Sequence, residues 1–306
     1  MTEDRSARPR RPPVTRPRIL ILGASGMLGF ALHRIFHDQG YAVTGALRSA
    51  SAPQHTACSG LAYRFGLDVT DVSRVEALID DIRPDVLINA VAVKRAPGEA
   101  GILGMFEVNA GFPRRLAHVT AGRGIQLVHF STDAVFDGAT GGYDESSLPS
   151  PHGAYALSKF LGEPNAPGTL TIRTSMIGRA LGKGDGLVDW LLDQRGSTVA
   201  GHSAALFSGL PVDEIARFVM TNVVAAPDAP TGVYHLAADP IDKYTLLRLV
   251  LEAWEVDDIV LERDDRVRIN RTLATRRAEE LGNYHAPSWP VLIGNAHSFY
   301  STHGLA

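Results

Sequence analysis

Short apolar runs alternate with longer amphipathic stretches through the first 180 residues. RILIL, 18–22, reads as a buried parallel strand. After GASGMLG, Leu28, Leu32, Ile35 and Phe36 fall on one helical face, and Gly40 suits the C-terminal cap. Residues 41–47 predict a second strand and LAYRFGLDV a third. Asp71 stands where it would cap VSRVEALIDDI, whose Val75, Leu78, Ile79 and Ile82 make a stripe. DVLINAVAV, IQLVHFS (125–131) and GTLTIRTS (168–175) predict strands four to six, with helix over most of 99–121. The segment FDGATGGYDESSLPSPHGAY between strands five and six has the glycine, serine and proline content of a surface loop. This alternation predicts an α/β fold with a parallel sheet covered on both faces, and ligands of such sheets sit beyond the C-terminal strand ends.

After about residue 179 the rhythm weakens. Helices are predicted near 187–194, 211–225 and 243–255, with a strand at 232–238. The expected organisation is a loose tail over 1–17, a nucleotide-binding domain over 18–178 and a smaller mixed substrate-binding region over 179–306, with elements returning to the first domain.

The spacing of Gly23, Gly26 and Gly29 is G-x-x-G-x-x-G, directly after an apolar strand and opening an amphipathic helix. Missing side chains allow a tight turn and close approach to a pyrophosphate, and the helix N-terminus offers unpaired N–H groups. Gly23, Ser25, Gly26, Met27, Leu28 and Gly29 are therefore candidate cofactor residues. The second strand ends in VTGALRSA, without the acid that would bond the ribose hydroxyls of NAD(H). Arg48 and Ser49 stand where a 2′-phosphate would lie, so NADP(H) is preferred and NAD(H) kept as the alternative. Asp68 and Val69 are candidates for adenine contacts, Asp68 having a local turn role as its alternative. Ala90, Val91 and Ala92, toward the end of strand four, complete the cofactor set.

HGAYALSKF places Tyr155 and Lys159 four apart on one helical face. Tyrosine titrates near ~10, and a neighbouring ammonium is expected to lower that value toward one suited to proton transfer. Lys159 also suits the nicotinamide ribose. A hydroxyl at the end of strand five would bond the same substrate oxygen; Thr132 is the candidate and Ser131 its rival.

Composition narrows the picture. The chain has 306 residues, 45% hydrophobic and 21% charged, with formal net charge −3. A substantial core is affordable at this length, and a bulk phosphate-backbone binder is not indicated, so no nucleic acid partner is expected. The single cysteine, Cys58, excludes a disulfide framework or a cysteine-rich zinc site. No HExxH or tight carboxylate cluster points to a catalytic metal. The apolar runs are too short to span a bilayer, and the arginine- and proline-rich start lacks an apolar signal core. No membrane association and a cytoplasmic location are expected.

The pieces GASGMLG, LDVTD, INAVA, EVN, STDAVFDG, GAYALSKFLGE and RTSMIG resemble the extended short-chain dehydrogenase/reductase superfamily, and more narrowly its dTDP-4-dehydrorhamnose reductase family. The resemblance runs from Arg18 to beyond Trp289. It implies a Rossmann-type doubly wound parallel sheet, catalytic Thr132, Tyr155 and Lys159, an NAD(P)H site in the N-terminal region and a nucleotide sugar beneath the C-terminal region. Ala134, where relatives often have tyrosine, and Met176, where many have tryptophan, are departures that reshape the sugar pocket. Substrate candidates are Lys94, Ser131, Thr132, Asp133 and Tyr155, then Arg179, Lys183, Phe207 and Arg268. The expected reaction is NADPH-dependent reduction at C4 of a nucleotide-linked 4-keto-6-deoxysugar. An NAD-dependent nucleotide-sugar epimerase and a non-catalytic cofactor-binding regulatory subunit are the rivals, and a homodimer is compatible with the family.

Overall fold

The structure, a computed structural model, describes residues 16–305 apart from 183, 185, 227 and 229. Most of the expected tail, 1–15, and Lys183 therefore lie outside the described residues. Arg16, at the inner end of that tail, is not loose: its guanidinium lies over the Tyr41 ring at 5.1 Å.

The predicted alternation forms β1 (Ile19–Leu22), α1 (Met27–Asp38), β2 (Val43–Ala46), β3 (Ala62–Arg64), α2 (Val72–Ile82), β4 (Val86–Asn89), α3 (Gly98–Phe106), α4 (Phe112–Ala121), β5 (Gln126–Thr132), α5 (Gly153–Leu161) and β6 (Thr169–Thr174). Then follow β7 (Met176–Ile177), α6 (Leu187–Leu192), β8 (Thr198–His202), β9 (Ala205–Phe207), β10 (Leu210–Pro211), α7 (Val212–Phe218), β11 (Gly232–His235), β12 (Ile241–Asp242), α8 (Lys243–Ala253), β13 (Val260–Asp264), β14 (Ile269–Asn270) and α9 (Trp289–Thr302).

Seven parallel strands form the main sheet in the order β11-β6-β5-β4-β1-β2-β3. The order reverses between β1 and β4, which opens a crevice beyond their C-terminal ends. All four residues of β1 are fully buried, because helices cover both faces. On one face α1 packs on α7, and α7 on α9. On the other, α2 and α4 enclose Leu20, Leu22, Leu87 and Leu127.

Strand β4 ends at Asn89, four residues short of the predicted DVLINAVAV run; the chain beyond it is irregular and serves the crevice instead. The helical stretch near 99–121 is broken by a π turn at Glu107–Gly111 between α3 and α4. Strand β11 comes from the C-terminal region yet pairs with β6 in the main sheet. Other short strands form separate small sheets, β12-β9-β14, β8-β13 and β7-β10.

The expected surface loop after β5 is irregular but docked. Phe136 is fully buried and stacks on Tyr143 at 4.4 Å. Tyr143 donates its N–H to the Thr272 carbonyl (3.0 Å) and accepts from the Ala274 N–H (2.7 Å). A segment more than a hundred residues downstream thus supplies the hydrogen bonds that a free loop would take from water.

Candidate active site

The glycine turn needs its glycines for different reasons. Gly23 has φ +80°, and a Cβ there would stand 3.0 Å from Val91 Cγ2. A Cβ at Gly29 would collide with the Gly23 carbonyl oxygen, so this glycine brings α1 down onto the turn and does not line the crevice. Gly26 is the N-cap of α1 and leaves the first helical N–H groups without a side-chain partner. A pyrophosphate fits such an end: the amides are free, the helix field favours an anion, and no side chain intervenes.

Two adjoining cavities follow the crevice. The larger, about 800 Å³, is walled by Ser25, Gly26, Met27 and Leu28, then by Asn89, Ala90, Val91, Ala92, Lys94 and Arg95. Ser131, Tyr155 and Lys159 form its floor with Phe130, and Met176, Ala180, Gly184, Gly186 and Asp189 close the far side. The smaller, about 270 Å³, shares Ser25, Gly26 and Ala90–Ala92 and adds Gly23, Arg48, Asp68 and Val69. A dinucleotide laid along this trough would have its adenine end at Arg48 and its nicotinamide end at Tyr155. Ser49 lies off the trough, its Oγ accepting the Ser51 N–H at 3.3 Å. Asp68 accepts from both the N–H (2.9 Å) and the hydroxyl (2.7 Å) of Thr70; these bonds hold its carboxyl below its ordinary value, with a smaller contribution from Arg48.

At the reacting end, α5 brings Tyr155 and Lys159 to one wall. Lys159 is 3% exposed and donates from Nζ to the Phe130 carbonyl at 2.7 Å. Burial lowers its ammonium to about 8, and Glu163 opposes that shift. The expected lowering of Tyr155 by Lys159 is not observed. Burial raises the Tyr155 phenol, a side-chain hydrogen bond with Thr132 opposes this, and the Asp133 charge reinforces it. The Lys159 ammonium is instead bonded to the Phe130 carbonyl.

Thr132 stands behind Tyr155 and not on the cavity wall. Its hydroxyl accepts the Ala134 N–H and donates to Asp133 Oδ1, both at 3.1 Å. Its rival Ser131 reaches the wall, but its hydroxyl donates to Glu163 Oε1 at 2.6 Å. Asp133 is turned inward, where burial raises its carboxyl against Thr132 and Arg271.

Three predicted substrate contacts, Arg179, Phe207 and Arg268, do not line the cavity. Arg179 pairs with Asp189 at 3.1 Å and donates to the Leu305 carbonyl, while its own N–H donates to Tyr300 Oη at 2.8 Å. It fastens the chain just after β7 to α6 and to the C-terminal residues. Phe207 packs on Trp289, ring centroids 5.9 Å apart, as part of the core beneath the cleft. Arg268 forms a surface pair with Asp265 at 3.6 Å, both side chains about three-quarters exposed. Arg271, three residues on, is the arginine that approaches the STD turn, donating to the Phe136 carbonyl at 3.2 Å.

Two asparagines carry part of the geometry without having been singled out. Asn109, in the π turn, is fully buried; its Oδ1 accepts the Val93 N–H and its Nδ2 donates to the Val93 carbonyl, both at 2.8 Å, and it also donates to Ser158 Oγ at 3.0 Å. It therefore ties the segment after β4 to α5. Asn89 accepts the Val91 N–H at 3.2 Å and contacts buried His129. Their only signals were the asparagines of EVN and INAVA.

Among the described residues, no helix is long and apolar enough to cross a membrane, and no group of three or more His, Cys, Asp or Glu side chains could hold a metal ion.

Residues 17–280 match the family model described as RmlD substrate binding domain. The probable low-salt glycan biosynthesis reductase Agl14 of Haloferax volcanii is 32% identical over 230 residues, 71% of this chain and 73% of that protein. The dTDP-4-keto-6-deoxy-D-glucose reductase of Streptomyces niveus is 38% identical over 151 residues, 48% of this chain and 46% of that protein, so the match spans about half of either. A solved dTDP-4-dehydrorhamnose reductase of Bacillus anthracis in complex with NADP superposes with a TM-score of 0.76 at 20% identity, covering 93% of this chain and 99% of that one. With the glycine turn, the STD strand end and the Tyr155–Lys159 helix in one crevice, the chain belongs to the RmlD-like family of extended short-chain dehydrogenases/reductases.

Proposed function

We propose that this protein is an NADPH-dependent reductase acting at C4 of a nucleotide-linked 4-keto-6-deoxysugar. Membership of a family of sugar-nucleotide oxidoreductases gives the broad class. The observation that carries the finer reading is the placing of Tyr155 and Lys159 in the same cavity wall as the glycine turn and the Lys94–Arg95 pair.

Bound nicotinamide supplies the hydride. Tyr155 gives its phenolic proton to the carbonyl oxygen as the alcohol forms. Burial keeps that phenol protonated at neutral pH, which suits an acid in the reducing direction. Thr132 orients the phenol from behind, and Lys159, fixed by the Phe130 carbonyl, would hold the nicotinamide ribose. Arg48, on the wall at the other end of the trough, would receive the 2′-phosphate of NADPH. Lys94 and Arg95 give the rim a positive charge matched to a sugar-linked diphosphate, and Met176 borders the sugar.

The test is a panel of nucleotide 4-ketosugars offered with NADPH and with NADH, followed by product identification. Stoichiometric NADPH oxidation with a new C4 alcohol is expected. Tightly held NAD with no net cofactor consumption would instead identify an epimerase, and persistent copurification with another enzyme without turnover a regulatory subunit.

A further inference from the structure

Glu163 and Arg173 form an ion pair that the reaction as described does not use. Their side chains are 7% and 6% exposed. Arg173, on β6, donates from Nε to Glu163 Oε1 at 2.8 Å and from Nη2 to Oε2 at 2.7 Å. Ser131 completes the carboxylate at 2.6 Å. Such a pair has a large desolvation cost, so a hydrophobic pair of similar volume would serve stability as well. Its position suggests why charge stands here. Lys159 and Glu163, four apart at the end of α5, grip successive residues of β5: Lys159 holds the Phe130 carbonyl and Glu163 the Ser131 hydroxyl.

The other charged groups near the ammonium do not offer the same support. On its own helix Tyr155 stays protonated, and on β5 His129 is fully buried and held neutral by burial, its charging further opposed by Lys159. Asp133, after β5, is held by Thr132 and Arg271. Arg173, behind Glu163, and Lys94 and Arg95, on the cavity wall, carry the same sign as the ammonium. Glu107 of the π turn is turned outward to Arg115, and Glu99 of α3 is exposed. Glu163 is thus the carboxylate placed to sustain the lysine's charge.

We propose that Glu163, locked by Arg173 and Ser131, is a positioning residue that keeps the buried Lys159 ammonium charged and β5 in the alignment that presents the Phe130 carbonyl to it. The inference rests on reading Lys159 as the lysine that serves the cofactor.

The experiment reads Lys159 directly. Full-length protein is acetylated with trace acetic anhydride between about pH 6 and about pH 10, and the Lys159 peptide is quantified by mass spectrometry to give its titration midpoint. The wild-type midpoint is expected near 8. Glu163→Gln should lower it by about one pH unit or more, because a carboxylate at this range favours the charged form. Glu163→Asp should restore most of the shift, and Ser131→Ala should leave the midpoint in place. Where Glu163→Gln loses the native melting transition, Glu163→Gln combined with Arg173→Met is read instead, since it leaves no unpaired buried charge. An unmoved midpoint in a folded Glu163 variant overturns the proposal. Ketosugar turnover plays no part in this readout, so a failed substrate panel and an unmoved midpoint are separate results.

Discussion

At the cofactor end of the crevice, residues 23–28 and 89–92 continue directly from buried strands β1 and β4 and present mainly backbone and small side chains. At the end proposed for the sugar, the stretch around Arg179 is held by partners far away in the chain: Tyr300 and Leu305 fasten Arg179 across 121 and 126 positions. A pyrophosphate is the same in every dinucleotide, so a local turn that works can stand unaltered. A sugar differs from enzyme to enzyme, and a wall fastened from behind can change its face while its anchors stay put. The comparison teaches that one crevice combines a wall specified within a few residues and a wall specified by tertiary closure.

The strongest way to break this comparison is at the shared reacting centre. Tyr155→Phe is expected to lower kcat by about 10²- to 10⁴-fold while NADPH affinity, read by fluorescence titration, stays at the wild-type value. A comparable loss of cofactor affinity would place Tyr155 at the cofactor end alone. Next in size, Arg48→Ala should reduce the preference for NADPH over NADH by about 10- to 100-fold, the worth of a charge-assisted contact, without altering the sugar KM. A preference that survives would remove Arg48 from the 2′-phosphate site.

A smaller effect sharpens the sugar end. Arg179→Ala is expected to raise the sugar KM by about tenfold with NADPH affinity unchanged, as for a wall that loses its fastening. Asp189→Asn should do the same, because it breaks the same clamp (3.1 Å). A KM rise confined to the arginine variant would mean direct substrate contact after all.

The smallest effect concerns neither end but the helix that joins the turn to the core. His33 on α1 is fully buried, and burial lowers its imidazole to about 4 from an ordinary 6.5. The unfolded chain therefore takes up this proton first as pH falls from 6.5 toward 4, and stability drops across that window. Replacing His33 with Gln should flatten the slope of unfolding free energy against pH by at most about 1.4 kcal/mol per unit, read by urea melts. An unchanged slope would assign the acid sensitivity to another group.

Much of the cofactor end was legible because its signals are local. The α2 bounds and its Asp71 cap match the expected ones: Asp71 Oδ1 accepts the Arg74 N–H at 3.3 Å. The continuous apolar run behind β1 likewise reflects burial on both faces, and Leu28, Leu32, Ile35 and Phe36, the stripe behind α1, are all buried. What was not legible has a different cause. Arg179 and Arg268 carry no local signal for their partners, because a guanidinium takes whichever carboxylate the fold brings close, here Asp189 and Asp265. The same holds for Tyr155 and Lys159: helical spacing put them on one face, but only the nearness of the Phe130 carbonyl decided where the ammonium points.

Local sequence fixes the order of the main strands and helices through residue 175, the glycine turn, and the residue types available for proton transfer, because each depends on a handful of neighbours or on a repeat of two or 3.6 residues; the short strands of the small sheets and α9 beyond it carry no such signal. Tertiary structure alone decided that the 136–152 loop docks on 270–274, that Asn109 ties the segment after β4 to α5, and that Glu163 meets Arg173 beneath Lys159. Those contacts join positions from 10 to about 130 apart. No periodicity records them, since hydrogen bonds and charges choose partners by distance in the folded chain rather than by separation along it.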